Sequence, residues 1–350
     1  MKPRHSVQKM RPYSPPSSGR QDKIRLDFNE NTVGCSPKVA EHLKSVLSQP
    51  LLSAYPEYEA TRPALARFLN ITEDQLVLTN GTDEAIQLLV NTFVEPDEEV
   101  LIMTPSYAMY RFYAEVAGAR VREIEYDSET LAFPADRFVA NINSQTKLVM
   151  IANPNNPTGT AISIMHVERL LRANPNCGVL VDEAYFEFCG KTAMPFIQRY
   201  HNLFVSRTFS KVYGLAAMRI GCLVSHAENV THMRKAQSPY SVNLLAAMAA
   251  AVAIEDRQYV ETYVKEVLSA RDMMYSGLSE LSVRHWRSEG NFILFHVGER
   301  APEVCSALRG RGILVRDRSY ELPGCVRVTV GTKDQTKRFL QNLKEVLHQS

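Results

Sequence analysis

The sequence lacks the features that mark metal-held, disulfide-held and membrane-spanning chains. Its six cysteines contain no CxxC pair and none lies in a cluster with histidines, which argues against a structural zinc site and against a disulfide framework. The longest apolar run, Leu244 to Ile254, is about half the ~20 residues of a bilayer-spanning helix. Because no apolar secretory segment follows the first methionine, we expect no membrane association and a cytoplasmic location.

Neither sign of charge dominates the sequence. Lys and Arg together number 40 and Asp and Glu 38, which gives a formal net charge of +2. This near-balance argues against a chain that coats nucleic acid or a membrane surface, but not against small anionic ligands, which respond to local charge. The first twenty residues are basic and lack acids. Because they also contain four prolines, an irregular arm is favoured over an organelle transit peptide.

Short apolar runs alternate with helical patterns from residue 75 to residue 224. Residues 83–94, for example, place apolar side chains on one helical face. Runs that are apolar on both faces and separated by helices predict an α/β fold, with a mainly parallel seven-stranded sheet covered by helices. The predicted strands are 75–79, 99–103, 121–126, 147–152, 178–181, 203–205 and 220–224.

The pattern changes after Asn243. A long helical region runs to about Leu281 with a break near 255–258, and shorter strands and helices follow to the last helix. This pattern predicts a smaller α+β unit, and the length of 350 residues also exceeds what one core usually organises. The predicted division is an N-terminal arm with part of the small domain (1–45), a large domain (46–245) and a C-terminal small domain (246–350).

Four polar motifs follow predicted strands, where ligands bind in open α/β sheets. They are Asn80–Glu84, Asn153–Gly159, Asp182–Tyr185 and Arg207–Gly221. Gly81 permits close approach of an anion to a helix start, two prolines fix the turn around Asn156, and a buried Asp182 needs a cationic or hydrogen-bonding partner. Taken singly, a helix cap, a plain turn and a salt bridge would also account for the first three motifs.

The fourth motif places Lys211 between hydroxyl groups and an arginine. Thr208, Ser210 and Arg219 can form an anion pocket around it. A desolvated lysine beside another cation has a lowered pKa, and its amine becomes a nucleophile that can form a Schiff base. The motifs together provide a lysine for an aldehyde, an aspartate for a pyridinium nitrogen, and donors for a phosphate. They predict pyridoxal 5'-phosphate as the cofactor.

Longer stretches of the chain resemble the fold-type I, class II aminotransferases, and among these the histidinol-phosphate aminotransferase family. The resemblance extends from about residue 11 to the last helix. The stretches that carry it include LDFNEN (26–31), AYPE (54–57), NGTDEAI (80–86), TPSYAMYR (104–111), NPNNPTG (153–159), VDEAYFEF (181–188), RTFSKVYGLAAMRIG (207–221), GNFILF (290–295), GILVRD (312–317) and CVRVTVG (325–331). One departure follows LDFNEN, where the family often has a proline and this chain has Thr32.

The resemblance implies roles for individual residues. Lys211, which holds the cofactor and moves protons, Asp182, which pairs with the pyridinium nitrogen, and Tyr185 are the implied catalytic residues. Asp182, Tyr185 and Lys211 also belong to the implied cofactor-binding set, whose other members are Gly81, Thr82, Tyr107, Asn156, Thr208, Ser210, Arg219 and Tyr55. The implied substrate-binding residues are Arg327, Arg316, Tyr13 and Asn31. Tyr55 would reach the cofactor phosphate of a neighbouring subunit, which implies a homodimer with shared active sites.

The implied reaction is transamination between L-histidinol phosphate and 2-oxoglutarate in histidine biosynthesis. Arg327 would bind the carboxylate of glutamate in one half-reaction and the phosphate of the phosphorylated amino alcohol in the other, because a guanidinium binds both anions in pairs of hydrogen bonds. The expected partners are small molecules, with no nucleic acid and no metal.

Other functions stay open at this point. An aminotransferase for aromatic or other amino acids and a lyase of the threonine-phosphate decarboxylase type would use the same fold. A non-enzymatic regulator would carry a DNA-binding domain, for which the charge pattern shows no basic module. A protein that only binds organophosphates would not need the set of Lys211, Asp182 and Asn156.

Overall fold

The structure is a computed structural model that describes residues 1–10, 12 and 18–348. Its strands are, in chain order, β1 (Ile24–Arg25), β2 (Leu76–Thr79), β3 (Glu99–Thr104), β4 (Arg120–Glu125), β5 (Thr146–Ala152), β6 (Gly178–Asp182), β7 (Leu203–Thr208), β8 (Gly221–Ser225), β9 (Arg284–His285), β10 (Phe292–His296), β11 (Ile313–Leu314), β12 (Arg316–Asp317) and β13 (Cys325–Thr329).

Helices connect and cover these strands. They are α1 (His5–Gln8), α2 (Pro37–Val46), α3 (Gln49–Ser53), α4 (Thr61–Leu69), α5 (Gly81–Phe93), α6 (Met109–Ala117), α7 (Ala135–Ala140), α8 (Ile164–Ala173), α9 (Phe186–Cys189), α10 (Ala227–Ala236), α11 (Leu244–Glu255), α12 (Arg257–Glu280), α13 (Ala301–Gly310) and α14 (Lys333–His348). The predicted break in the long helical region lies at Asp256, between α11 and α12. None of the described helices combines the length and the apolar character that a membrane crossing requires.

A seven-stranded sheet forms the centre of the molecule, in the order β2-β8-β7-β6-β5-β3-β4. Neighbouring strands are parallel except for β8, which is antiparallel to both β7 and β2. The predicted α/β class with a mainly parallel seven-stranded sheet is therefore confirmed. The carboxyl ends of β3, β5, β6 and β7 consequently lie along one edge of the sheet.

Both faces of this sheet are buried. Successive strand residues point to opposite faces, and the side chains on each face pack in an apolar core. On β3, Val100 and Ile102 pack in one apolar core with residues of α5, α6 and α10. Leu101 and Met103 pack in the other core with residues of α4, α8 and α11. With both faces covered, the strand ends are the part of the sheet that remains open to ligands.

A second sheet lies in the C-terminal part of the chain. It is antiparallel, in the order β12-β13-β10-β9, and α12 and α13 both pack against α14 beside it. The short strand β1 pairs in parallel with β11, which joins the N-terminal segment to this part of the molecule. The register places Arg316 of β12 directly opposite Arg327 of β13.

Candidate active site

A cavity of about 300 Å³ lies at the carboxyl ends of the central strands. Residues at or just after the ends of β3, β5, β6 and β7 line one side, and residues of the second sheet line the other. The predicted site residues in this lining are Thr82, Tyr107, Asn156, Asp182, Tyr185, Thr208, Ser210, Lys211, Arg219, Arg316 and Arg327. The fold thus collects side chains from residue 82 to residue 327 in one place.

Asp182 ends β6 as a buried carboxylate. Tyr110 donates a hydroxyl hydrogen bond to its Oδ2 at 2.8 Å, and Ser206, its register partner on β7, donates to Oδ1 at 2.9 Å. Burial raises the pKa of Asp182 to about 6, although these hydroxyl groups favour the ionised form. Both hydrogen-bond donors are neutral hydroxyl groups, so the buried carboxylate of Asp182 still needs a cation to balance its charge.

Lys211 follows β7 and projects into the cavity. Its Nζ donates to the carbonyl oxygen of Phe28 at 2.9 Å. Burial lowers the pKa of Lys211 to about 8, and repulsion from Arg327 and Arg219 contributes to the shift. A substantial fraction of the amine is therefore neutral near physiological pH, which is the form that attacks an aldehyde.

The start of α5 forms one end of the cavity. Gly81 has φ +76°, a backbone conformation that favours glycine, and Nη2 of Arg219 lies 2.5 Å from where a Cβ would be. Asp83 joins two predicted cofactor ligands: its Oδ1 accepts from the Tyr107 hydroxyl at 2.6 Å, and its Oδ2 pairs with Arg219 Nη2 at 3.2 Å. The free amides of this helix start and the nearby hydroxyls of Thr208 and Ser210 suit a phosphate.

Tyr185 and Asn156, which follow β6 and β5, also line the cavity. The Tyr185 hydroxyl accepts a hydrogen bond from Asn29 Nδ2 at 3.0 Å, which fixes the phenol in a buried position. Burial raises the pKa of Tyr185, so this phenol stays protonated and can donate to a ligand oxygen. The amide oxygen of Asn156 accepts a hydrogen bond from Arg327 Nη1.

Arg327 is buried without a carboxylate partner among the described residues. Its Nη1 and Nη2 donate to neutral oxygens, of the Asn156 amide and the Asp27 backbone, and its Nε has no hydrogen-bond partner. Burial, together with repulsion from Arg318 and Arg316, lowers the pKa of Arg327 to about 10. Arg316 lies over the ring of Phe28, 5.7 Å from its centre, and also lines the cavity.

Three of the predicted site residues that the structure describes, Gly81, Asn31 and Tyr55, are not in this lining. Gly81 lies beside the lining at the start of α5, next to Arg219. Asn31 Nδ2 donates to the Val212 carbonyl at 2.8 Å and its Oδ1 accepts from the backbone of Val33 and Gly34, so its side chain supports the cavity wall from behind. Tyr55 is 76% exposed and packs on Tyr240, outside its own chain's cavity. Tyr13 lies outside the described residues.

Sequence reasoning missed four residues of the site, Asn29, Tyr110, Ser206 and Arg318. Asn29 and Tyr110 lie in the quoted stretches LDFNEN and TPSYAMYR. Ser206 could have been found from the pairing of β6 with β7, which places it opposite Asp182. Arg318 lies two residues after Arg316, a spacing that keeps both side chains on one side of an extended segment.

Comparison with known proteins identifies the family. The family described as aminotransferase class I and II matches residues 21–343. The chain belongs to the class I and II aminotransferase family. This aminotransferase is 37% identical to the histidinol-phosphate aminotransferase of Symbiobacterium thermophilum over 98% of each chain. It is 34% identical to that of Anoxybacillus flavithermus, over 99% of this chain and 97% of the other.

A solved structure has the same fold. The histidinol-phosphate aminotransferase from Sinorhizobium meliloti, solved in complex with pyridoxal-5'-phosphate, superposes on this aminotransferase with a TM-score of 0.88 at 23% identity. The match covers 98% of this chain and 96% of that structure. The family depends on pyridoxal phosphate, so the predicted enzyme class, a transaminase, and the predicted cofactor are confirmed.

The residues of the cavity fit this cofactor. Asp182 is a buried carboxylate that needs a cation, and a protonated pyridine nitrogen would supply one. Arg219, held over Gly81, and the hydroxyls of Thr208 and Ser210 offer donors to a phosphate at the other end. A nucleophilic lysine lies in the same cavity, where an aldehyde would meet it.

Proposed function

We propose that this aminotransferase transfers the amino group of L-histidinol phosphate to 2-oxoglutarate, in histidine biosynthesis. One observation carries the proposal: two arginines at directly opposite positions of β12 and β13 line the cavity, and neither forms an ion pair with a described acidic residue. Like charges at opposite positions destabilise a strand pair, so this arrangement calls for a bound anion. The names of the full-length relatives from Symbiobacterium and Anoxybacillus support the same substrate.

In this proposal the cofactor's ring, when bound, supplies an electron sink for negative charge on the substrate carbon. Lys211 Nζ would take a proton from that carbon and return it at the neighbouring cofactor position, a role that suits a pKa of about 8. Asp182 would hold the positive charge at the ring nitrogen. Tyr107 would pack on the ring, and Asn156 and Tyr185 would orient the ring by hydrogen bonds to its oxygen substituent.

The remaining predicted ligands hold the two ends of the site. Gly81, Thr82, Thr208, Ser210 and Arg219 would hold the cofactor phosphate. Arg327 and Arg316 bind the substrate anion, which is the carboxylate of glutamate in one half-reaction and the phosphate of histidinol phosphate in the other. Their planar guanidinium groups suit both anions, because each can donate two parallel hydrogen bonds.

The test is a half-reaction screen on the cofactor-loaded enzyme. L-histidinol phosphate, L-glutamate, aromatic amino acids and threonine phosphate are added singly, and the absorbance of the cofactor reports conversion to its amine form. We expect fast conversion by histidinol phosphate and glutamate, and none in the Lys211→Ala control. Faster conversion by an aromatic amino acid would contradict the proposal, as would release of carbon dioxide from threonine phosphate.

We also propose that the enzyme is a cytoplasmic homodimer with shared active sites and the domain division predicted above. The exposed position of Tyr55, away from its own cavity, supports a contact with the cofactor phosphate of a second subunit. The pairing of β1 with β11 supports assigning the N-terminal arm to the small domain.

A further inference from the structure

A third arginine, Arg318, lines the same wall of the cavity as Arg316 and Arg327. Its backbone N–H donates to the Cys325 carbonyl at 3.0 Å, which continues the pairing of β12 with β13 by one residue. The side chain is 9% exposed, and its Nε is buried without a hydrogen-bond partner. A nearly buried guanidinium with a free donor at a ligand cavity is a binding group rather than a solvated surface charge.

One carboxylate, Glu321, balances this arginine. Its Oε2 forms an ion pair with Arg318 Nη2, and its side chain is 23% exposed. Burial raises the pKa of Glu321, while attraction to Arg318, Arg327 and Arg316 opposes that rise. Glu30 also lines the cavity, but it pairs with Arg20 at 2.9 Å.

The charge of this wall matches a phosphate monoester better than a carboxylate. Three guanidinium groups and one carboxylate leave a net charge of about two positive units, and a phosphate monoester carries about −1.5 to −2 at pH 7. The carboxylate of glutamate carries one charge on two oxygens, which Arg327 alone can bind in pairs. A phosphate has a third terminal oxygen, and this oxygen needs a further donor.

We propose that Arg318 is a third ligand of the substrate phosphate, and that Glu321 is its counterion in the free enzyme. The inference deepens the proposed function and rests on it, because it assigns Arg318 to the phosphorylated substrate and not to glutamate. On binding, the phosphate oxygens accept from the guanidinium of Arg318, and Glu321 holds that guanidinium in place.

The experiment compares four variants of the cofactor-loaded enzyme: R318Q, E321Q, the double variant R318Q/E321Q, and R284Q as a control. Arg284 is an arginine of β9 in the same sheet that lies over Trp286 and is not in the cavity lining. Single-turnover rates give kcat/KM for L-histidinol phosphate and for L-glutamate. Inorganic phosphate is then tested as an inhibitor of the glutamate half-reaction. Cofactor content and thermal unfolding report folding, and R318K replaces R318Q if the latter does not fold.

R318Q is expected to lower kcat/KM for histidinol phosphate by about 10- to 100-fold and that for glutamate by less than about threefold, as for loss of one charge-assisted hydrogen bond. R318K is expected to fall between R318Q and the wild type, since a single ammonium keeps the charge without the fork. E321Q is expected to strengthen inhibition by phosphate, and R284Q to change neither substrate.

Two results would overturn the assignment. Equal losses for both substrates in R318Q would show a structural role, and recovery of wild-type selectivity in R318Q/E321Q would show that charge alone matters. Failure of the proposed function looks different, since the wild type would then react with glutamate and not with histidinol phosphate. In that case, inhibition by inorganic phosphate still tests Arg318, and an unchanged inhibition constant in R318Q would reject its role.

Discussion

The amine of Lys211 provides a quantitative test of the electrostatics of the site. Burial, with repulsion from Arg327 and Arg219, lowers its pKa from 10.5 to about 8. At pH 7 an amine of pKa about 8 is neutral in roughly one molecule in ten, and an amine of pKa 10.5 in roughly one in three thousand. Because the neutral amine is the nucleophile, we expect Lys211 to react with an aldehyde about 300-fold faster than an ordinary lysine of equal accessibility.

Reductive methylation of the cofactor-free protein measures this difference. Formaldehyde and cyanoborohydride are applied between pH 6 and pH 10, and peptide mass spectrometry gives the rate at each lysine, with the exposed Lys265 as an internal reference. The rate at Lys211 should rise about tenfold per pH unit below pH 8, where half of the amine is neutral, and level off between about pH 8 and pH 9 as the rest loses its proton.

The variant Arg327→Gln perturbs the shift directly, because it removes a cation that repels the Lys211 ammonium. In this variant the methylation rate of Lys211 should stop rising only at a higher pH than in the wild type. Each unit by which the pKa of Lys211 increases would slow its methylation at pH 7 about tenfold. Arg284→Gln, in the same sheet but outside the cavity lining, should leave the profile unchanged. A rate at Lys211 that still climbs at pH 10 in the wild type would refute the reasoning.

Two further predictions concern Asp182 and Tyr55. Burial raises the pKa of Asp182 from 3.8 to about 6, so its ionisation destabilises the cofactor-free fold increasingly as the pH rises from about 4 to about 6. Asp182→Asn should therefore raise the free energy of unfolding in urea by about 1–3 kcal/mol at pH 7 and change it little at pH 4, and a loss at pH 7 would contradict this. Dimers mixed from Tyr55→Phe and Lys211→Ala chains should differ in activity and cofactor affinity from either parent. Simple averages of the parents would argue for self-contained subunits.

The positions of Asp182 and Lys211 could be predicted because they depend on local sequence. The apolar run of β6 ends in Asp182 itself, and Ser210 and Lys211 come within three residues of the end of β7. The same reasoning located the helix break near Asp256, where the apolar character of α11 stops. These features require no knowledge of which elements become neighbours.

The partners of these residues could not be predicted in this way, because they come from distant segments. The Tyr110 hydroxyl reaches Asp182 because α6 packs on the sheet. The periodicity of the sequence predicts a helix at this position but not which strand it packs against. The choice between Asn29 and Asn31 is similar. Both residues lie in one short motif. Asn29 has φ +55° and donates from its amide to the Tyr185 hydroxyl, whereas the Asn31 amide donates to the backbone carbonyl of Val212. A residue with left-handed backbone angles interrupts the alternation of side chains along an extended segment. The direction in which the following side chains point can then no longer be predicted from their spacing.

The substrate side of the cavity shows why overall charge says little about an anion site. The whole chain carries a net charge of +2, yet Arg316, Arg318 and Arg327, less the charge of Glu321, place about the same excess on one wall of one cavity. Burial of Arg318 and Arg327 destabilises the free enzyme, because desolvation of their charges is only partly offset by Glu321 and neutral oxygens. A bound anion removes that penalty, so part of its affinity comes from relief of repulsion already present in the fold. A site built this way should bind the more highly charged of two anions more tightly, even where both contact the same Arg327.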